Sequence, residues 1–249
     1  MGIWLAKGMA LYGVVLLLAG CLQRKLLYFP THRELSYPAP ERDMQAWMVD
    51  GKAIGVCREV ENPQRVWLMF HGNGGQAAHR EYVLPLIHET DSLYVLEYPG
   101  YGTREGKPSE WAFNEAARDA YTEIRRMYSE TEVCILGESL GSGPACHITG
   151  MEPPPDRLVL VVPFDRLKDV AQDKFPIFPV GLIMVDRWDN IEALADYQGR
   201  IDIYAGRDDK VIPPRHARNL ADSKEGSTYH EFDAGHNDWA HPAYVDLKR

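Results

Sequence analysis

Residues 132–145 constrain the fold of this chain more than any other stretch. Glu132-Val133-Cys134-Ile135-Leu136 is an apolar run of strand character. Gly137-Glu138-Ser139-Leu140-Gly141 follows it directly, and Gly141-Ser142-Gly143-Pro144-Ala145 reads as a helix start. A strand that turns this abruptly into a helix holds the central serine in a strained backbone conformation and lifts its hydroxyl clear of the sheet. The flanking glycines are required because side chains there would collide with the strand and the helix. The helix N-terminus below the serine favours developing negative charge. A lone G-x-S-x-G can also be an ordinary glycine-rich turn with a capping serine, so the rest of the chain has to decide.

Two later segments repeat the pattern of a short strand ending in polar residues. Ile201-Asp202-Ile203-Tyr204-Ala205-Gly206 runs into Arg207-Asp208-Asp209-Lys210-Val211-Ile212-Pro213. Tyr229-His230-Glu231-Phe232 runs into Asp233-Ala234-Gly235-His236-Asn237-Asp238. Functional groups of open parallel sheets gather at the C-terminal ends of the strands. Upstream, the apolar Val66-Trp67-Leu68-Met69-Phe70 enters the glycine-rich loop His71-Gly72-Asn73-Gly74-Gly75. Backbone N–H groups of such a loop can hold an oxyanion, and the candidates are those of Asn73 and of Leu140, the residue after Ser139.

With these segments in hand, the chain resembles the α/β-hydrolases, and within them the Bem46-like, ABHD13- and ABHD17-type serine hydrolases. The resemblance also rests on Leu27-Tyr28-Phe29-Pro30 and Tyr98-Pro99-Gly100-Tyr101-Gly102, and it spans roughly residues 26–240. Thr103 and Ala234 depart from the family pattern, which usually has Ser and Gly there. The resemblance implies an α/β fold with a mostly parallel central sheet flanked by helices. It also implies a triad in the order serine, acid, histidine. It selects Asp209, four residues before Pro213, over the adjacent Asp208. It places residues 164–199 as an insertion before the acid-bearing strand, a short lid or pocket wall for an acyl group; plain core packing under a long loop is the alternative.

The 249 residues fit one domain of ordinary size, and the formal charge of −9 argues against a nucleic-acid partner. The N-terminus stands apart from that domain. Lys7 supplies a positive n-region, Met9 to Ala19 an apolar run, and Leu18-Ala19-Gly20-Cys21 resembles a bacterial lipoprotein box. The expectation is therefore a signal peptide over 1–20 and a lipid anchor on Cys21. A membrane tether and linker over 21–44 and the hydrolase domain over 45–249 would follow. A signal-anchor helix extending back to Ile3 is the alternative. Either form puts the domain at a membrane surface, facing the periplasm if Cys21 is lipidated; Leu22 after the cysteine leans towards an outer membrane. Cys57, Cys134 and Cys146 are an odd set, and the last two read as buried small hydrophobes.

Along the chain, Pro30, Pro38 and Pro40 break regular structure in the tether. Gln45–Val60 reads as antiparallel strands, Gln76–His88 as a helix, and Leu93–Glu97 as a strand. Glu110–Tyr128 is the clearest helix. Phe113, Ala117, Ala120, Tyr121, Ile124 and Tyr128 form its stripe, and Ser109 its N-cap. Val133–Leu136 and Leu158–Val162 are continuous apolar runs, as strands buried on both faces require. Strands alternating with helices mean a parallel sheet.

The chemistry expected is nucleophilic catalysis by Ser139, with His236 as base and Asp209 holding its tautomer. His71, His147, His216, His230 and His241 lose on position: His230 lies within a strand and His241 near a final helix. No metal or dinucleotide motif is present, so neither metal nor cofactor is expected. The leading expectation is an esterase or thioesterase acting on a small-molecule or lipid-like acyl substrate. A peptidase of the prolyl-oligopeptidase type and a non-catalytic binding protein are the alternatives.

Overall fold

Alternation within the apolar runs builds the centre of the molecule. In β3 (Arg65–Phe70), Val66, Leu68 and Phe70 face one side of the sheet while Trp67 and Met69 face the other, and all five are fully buried. The same two-sided burial holds in β5 (Glu132–Glu138) and β6 (Arg157–Val161). Strands of this kind must be covered on both faces. The computed structural model describes residues 2–32 and 43–249, and among these the strands form one eight-stranded sheet. The order is β1-β2-β4-β3-β5-β6-β7-β8, completed by β1 (Gln45–Val49), β2 (Lys52–Arg58), β4 (Ser92–Leu96), β7 (Arg200–Gly206) and β8 (Thr228–Phe232). β1 and β2 pair antiparallel, β2 joins β4 antiparallel, and every later pairing is parallel. The C-terminal ends of β3, β5, β7 and β8 therefore share one rim.

The helices are α1 (Gly2–Leu27), α2 (Glu110–Met127), α3 (Ser142–His147), α4 (Leu167–Lys174), α5 (Val180–Ile183), α6 (Asn190–Ala193) and α7 (Pro214–Asp222). α2 buries the expected stripe of Phe113, Ala117, Ala120, Tyr121 and Ile124, with Tyr128 half-buried just beyond it. The Ser109 hydroxyl accepts from the Ala112 N–H at 3.1 Å, the bond of an N-cap.

Two expectations give way. Gln76–His88 is not an α-helix but two 3₁₀ segments, Ala77–His79 and Glu81–Leu86. Pro85 lacks an N–H and would clash with the carbonyl four residues back, so an α-helix cannot run through it. No helix follows β8 among the described residues. The chain near His241 is held instead by burial of Trp239, Val245 and Leu247, and by Arg157, which donates to the carbonyls of Asp246 and Leu247. α1 continues to Leu27, and Tyr28 is buried against Phe113 and donates to Asp186 at 2.9 Å. Pro38 and Pro40 lie outside the described residues. Within α1, Lys7–Leu27 is 21 residues long and apolar enough to cross a membrane. Cys21 is exposed; Cys57, Cys134 and Cys146 are buried and free.

Candidate active site

Ser139 adopts φ +52°, a left-handed conformation that costs a non-glycine residue roughly 1–3 kcal/mol. The surroundings force it. A Cβ on Gly137 would lie 2.7 Å from the Ala145 Cβ, and a Cβ on Gly141 would lie 2.0 Å from the Phe70 carbonyl oxygen. The first glycine lets β5 and α3 approach, and the second lets the turn sit against the end of β3. The Ser142 hydroxyl donates to the Ser139 carbonyl at 2.7 Å and fixes the turn from below.

At the same rim the turn after β7 carries Asp209, which is buried. Its Oδ1 accepts from the N–H groups of Val211 and Ile212, both at 2.8 Å. Its Oδ2 lies 2.6 Å from His236 Nδ1, and His236 Nε2 lies 2.9 Å from Ser139 Oγ. An ionised carboxylate only accepts, so the proton belongs on Nδ1 and Nε2 accepts the serine O–H. The structure thus joins three residues 27 and 97 positions apart into one hydrogen-bonded chain. Asp208 is exposed, and its backbone N–H donates to the Ala234 carbonyl.

The other histidines are engaged elsewhere. His216 sits between Asp165 and Asp173 at 2.7 and 2.8 Å, and His230 stacks on Tyr204. His241 packs on Tyr244, and His147 ends α3. His71 belongs to the loop after β3, with Nδ1 2.8 Å from the Gly72 carbonyl and Nε2 3.1 Å from Glu97.

That loop is fastened by groups the sequence reasoning did not assign. The Tyr98 hydroxyl donates to the His71 carbonyl and the Tyr101 hydroxyl to Asn73 Oδ1, each at 2.7 Å. The Tyr98–Gly102 motif had no role attached to it; its two tyrosines hold the loop. Asn73 Oδ1 also accepts from the Phe29 N–H at 2.9 Å, and Nδ2 donates to the Leu27 carbonyl at 2.6 Å. The Asn73 side chain therefore ties the loop to the end of α1, while Leu140 sits buried in the turn at Ser139.

Glu138 was missed altogether, because it occupies the free position of its motif. Its Oε2 accepts from the Gly72 N–H at 2.9 Å and from Arg80 Nε at 2.8 Å; its Oε1 accepts from the Tyr82 hydroxyl at 3.2 Å. Burial alone would raise this carboxyl, but the Arg80 guanidinium and the Gly72 N–H outweigh it and hold it below the usual carboxylate range. The carboxylate couples the residue before Ser139 to the residue before Asn73. Glu138→Gln is expected to cost about 3 kcal/mol at neutral pH, because a buried Arg80 loses its counter-charge. The stability this carboxylate contributes is complete above the unfolded carboxyl pKa of about 4.3 and is lost as pH falls through the depressed folded value. Urea unfolding at pH 7 and pH 3 should show the gap between the two proteins narrowing on the acid side.

No family model matches the chain. It is 27% identical over 264 residues to the alpha/beta hydrolase domain-containing protein WAV2 of Arabidopsis thaliana, covering 92% of this chain and 84% of that protein. To the protein bem46 of Schizosaccharomyces pombe it is 25% identical over 237 residues, covering 84% and 78%. It also matches the lysophosphatidylserine lipase ABHD12 of Danio rerio at 26% identity over 160 residues, 57% of this chain and 42% of that protein. Among solved structures, the Pyrococcus furiosus esterase Pf2001 superposes with a TM-score of 0.61 at 12% identity, over 84% of this chain and 91% of the other. The rim-forming strand order, the elbow after β5 and these likenesses together make the chain an α/β-hydrolase-fold protein that resembles the Bem46-like proteins.

Proposed function

We propose that this protein is a serine hydrolase that cleaves carboxylic esters or thioesters through an acyl-enzyme on Ser139, at a membrane surface. The hydrogen-bonded chain from Asp209 through His236 to Ser139 carries the reading. His236 Nε2 takes the hydroxyl proton as Ser139 Oγ attacks the acyl carbon. Asp209 keeps the proton on Nδ1 and stabilises the imidazolium that forms. The backbone N–H groups of Asn73 and Leu140 hold the oxyanion. His236 then delivers its proton to the leaving alcohol or thiol, and water releases the acyl group by the same steps in reverse order of roles. The resemblance to a lysophosphatidylserine lipase supports a lipid-like acyl substrate.

In this reading α1 is the anchor and holds the domain at a membrane surface; its length and apolar composition support it. A diacylglycerol on the exposed Cys21, after loss of residues 1–20, is one form of it; the uncleaved helix is the other. Tyr12 favours the uncleaved helix, because its hydroxyl donates to the Ile177 carbonyl at 2.8 Å and its ring stacks on Phe178. Cleavage before Cys21 would remove both contacts. Periplasmic placement rests on the n-region and apolar-run pattern of residues 1–21.

A fluorophosphonate should label the intact protein at Ser139, read by mass spectrometry, and leave Ser139→Ala unlabelled. p-Nitrophenyl esters of rising chain length, run beside aminoacyl-nitroanilides, should be turned over while the anilides are not. An unlabelled intact protein would remove the enzyme reading, and preference for the anilides would replace esterase with peptidase.

A further inference from the structure

The insertion between β6 and β7 contains eleven consecutive residues without a charge, Phe175 to Val185, bounded by Lys174 on one side and Asp186 and Arg187 on the other. Four of its large apolar side chains point outward: Phe175, Ile177, Leu182 and Val185 are 56%, 75%, 83% and 63% exposed. We infer that this segment is a second membrane-embedded element, which dips into the hydrocarbon of a lipid bilayer beside α1 and returns on the same side. The inference rests on α1 being the retained anchor.

The register between the two elements points to it. Arg24 and Asp186 form an ion pair at 2.9 Å, which sets the charged end of α1 level with the charged end of the insertion. Residues 8–23 of α1 carry no charge. At 1.5 Å per residue, Tyr12 lies about 18 Å along the helix from Arg24. A hydrocarbon layer is about 30 Å thick, so a helix anchored at Arg24 carries Tyr12 well inside it. Tyr12 donates to the Ile177 carbonyl, which sets this part of the insertion beside the apolar stretch of α1.

Irregular backbone in hydrocarbon survives only if its polar groups find partners within the protein. Here three side chains supply several of them. Gln172 Nε2 lies 3.0–3.3 Å from the carbonyls of Phe175, Pro176 and Phe178, to which its two N–H groups donate in part, and its Oε1 accepts from the Val180 N–H. Gln23 Nε2 donates to the Ile183 carbonyl, and its Oε1 accepts from the Val185 N–H. Tyr12 satisfies Ile177. Pro176 and Pro179 bring no N–H, and the N–H groups of Phe178, Leu182 and Met184 close on carbonyls of the segment itself. An apolar cleft of about 220 Å³ between α1 and the insertion, with Leu26, Phe178 and Met184 in its walls, then opens on acyl chains rather than on water.

The test uses the full chain with Cys21→Ser and one added cysteine, reconstituted in phosphatidylcholine–phosphatidylglycerol vesicles. Cys57, Cys134 and Cys146 are buried, so the added thiol reports. A disulfonated, membrane-impermeant maleimide should modify Leu182→Cys at least about 10-fold more slowly than Glu130→Cys, which lies in the exposed turn between α2 and β5. A bimane placed on Leu182→Cys should be quenched by lipids brominated along the acyl chain. Equal labelling rates would overturn the inference, as would protection that fades when the protein is diluted in excess lipid, which would assign the face to a second copy. Carbonate extraction separates the two readings. Protein that washes off defeats the α1 anchor itself, whereas protein that stays bound with a reactive Leu182→Cys defeats only the immersion of the insertion.

Discussion

Ser139→Ala is expected to lower the turnover of a short-chain p-nitrophenyl ester by about 10⁴-fold or more while the protein remains folded. In triad hydrolases the nucleophile and base act as a unit, so loss of the nucleophile alone removes nearly all of their joint contribution. What survives comes from substrate binding and oxyanion stabilisation. The fold should tolerate the change. Alanine is no worse than serine at φ +52°, and only one hydrogen bond at a site open to substrate is lost, that to His236. Such a bond contributes about 1 kcal/mol. A purified variant with an unchanged urea midpoint and residual activity within tenfold of the parent would show that the chemistry lies elsewhere. Asp209→Asn gives a second reading of the same site. An amide at Oδ2 can donate and would reverse the His236 tautomer, turning Nε2 from acceptor into donor, so activity should fall on the order of 10⁴-fold with the fold intact.

Gly141→Ala should have the largest effect on stability of any one-methyl change at the site. The added Cβ would lie 2.0 Å from the Phe70 carbonyl oxygen, 2.5 Å from its carbon and 2.8 Å from the His71 oxygen. These are backbone atoms at the end of a central strand, and no rotamer change moves them away. Either β3 separates from the elbow or the turn lifts from the sheet. The expected cost is about 4 kcal/mol, in the range of severe overpacking. The gain in helix propensity, at most about 1 kcal/mol, does not offset it. Either displacement also shifts the loop that begins at His71, so activity should fall at least about 100-fold even in the fraction that folds. Gly150→Ala is the control, because a Cβ there meets nothing within 4 Å. Urea unfolding should separate the two variants, and equal midpoints would remove the packing argument.

Much of the fold is legible in local pattern. A strand buried on both faces must be apolar throughout, so β3, β5 and β6 stand out as continuous runs, and α2 stands out by its stripe and its serine cap. Gln76–His88 was harder to read. Its apolar spacing suits a helix, yet the backbone breaks at Arg80 and Pro85 bars an α-helical bond in the second segment, so two short 3₁₀ turns form while the same side chains still reach the core. The C-terminal stretch around His241 lacks the helix expected of it, because buried Trp239 and the guanidinium of Arg157, groups distant in sequence from one another, hold it in place.

The glycines that make the elbow and the polar residues at the strand ends could be read from the chain alone, because a sharp strand-to-helix turn and a polar residue at a strand end are local demands on residue type; the order Ser139, Asp209, His236 came from the resemblance to the α/β-hydrolases. The contact of Asp209 with His236, the anchoring of Gly72 by Glu138, the fastening of Asn73 by Tyr101 and the pairing of α1 with the insertion arose only in the folded molecule. Neighbouring residues in a turn point in different directions, and contacts across 28 to 162 positions depend on how the sheet and its loops bring distant segments together. No short-range pattern of residue types encodes that.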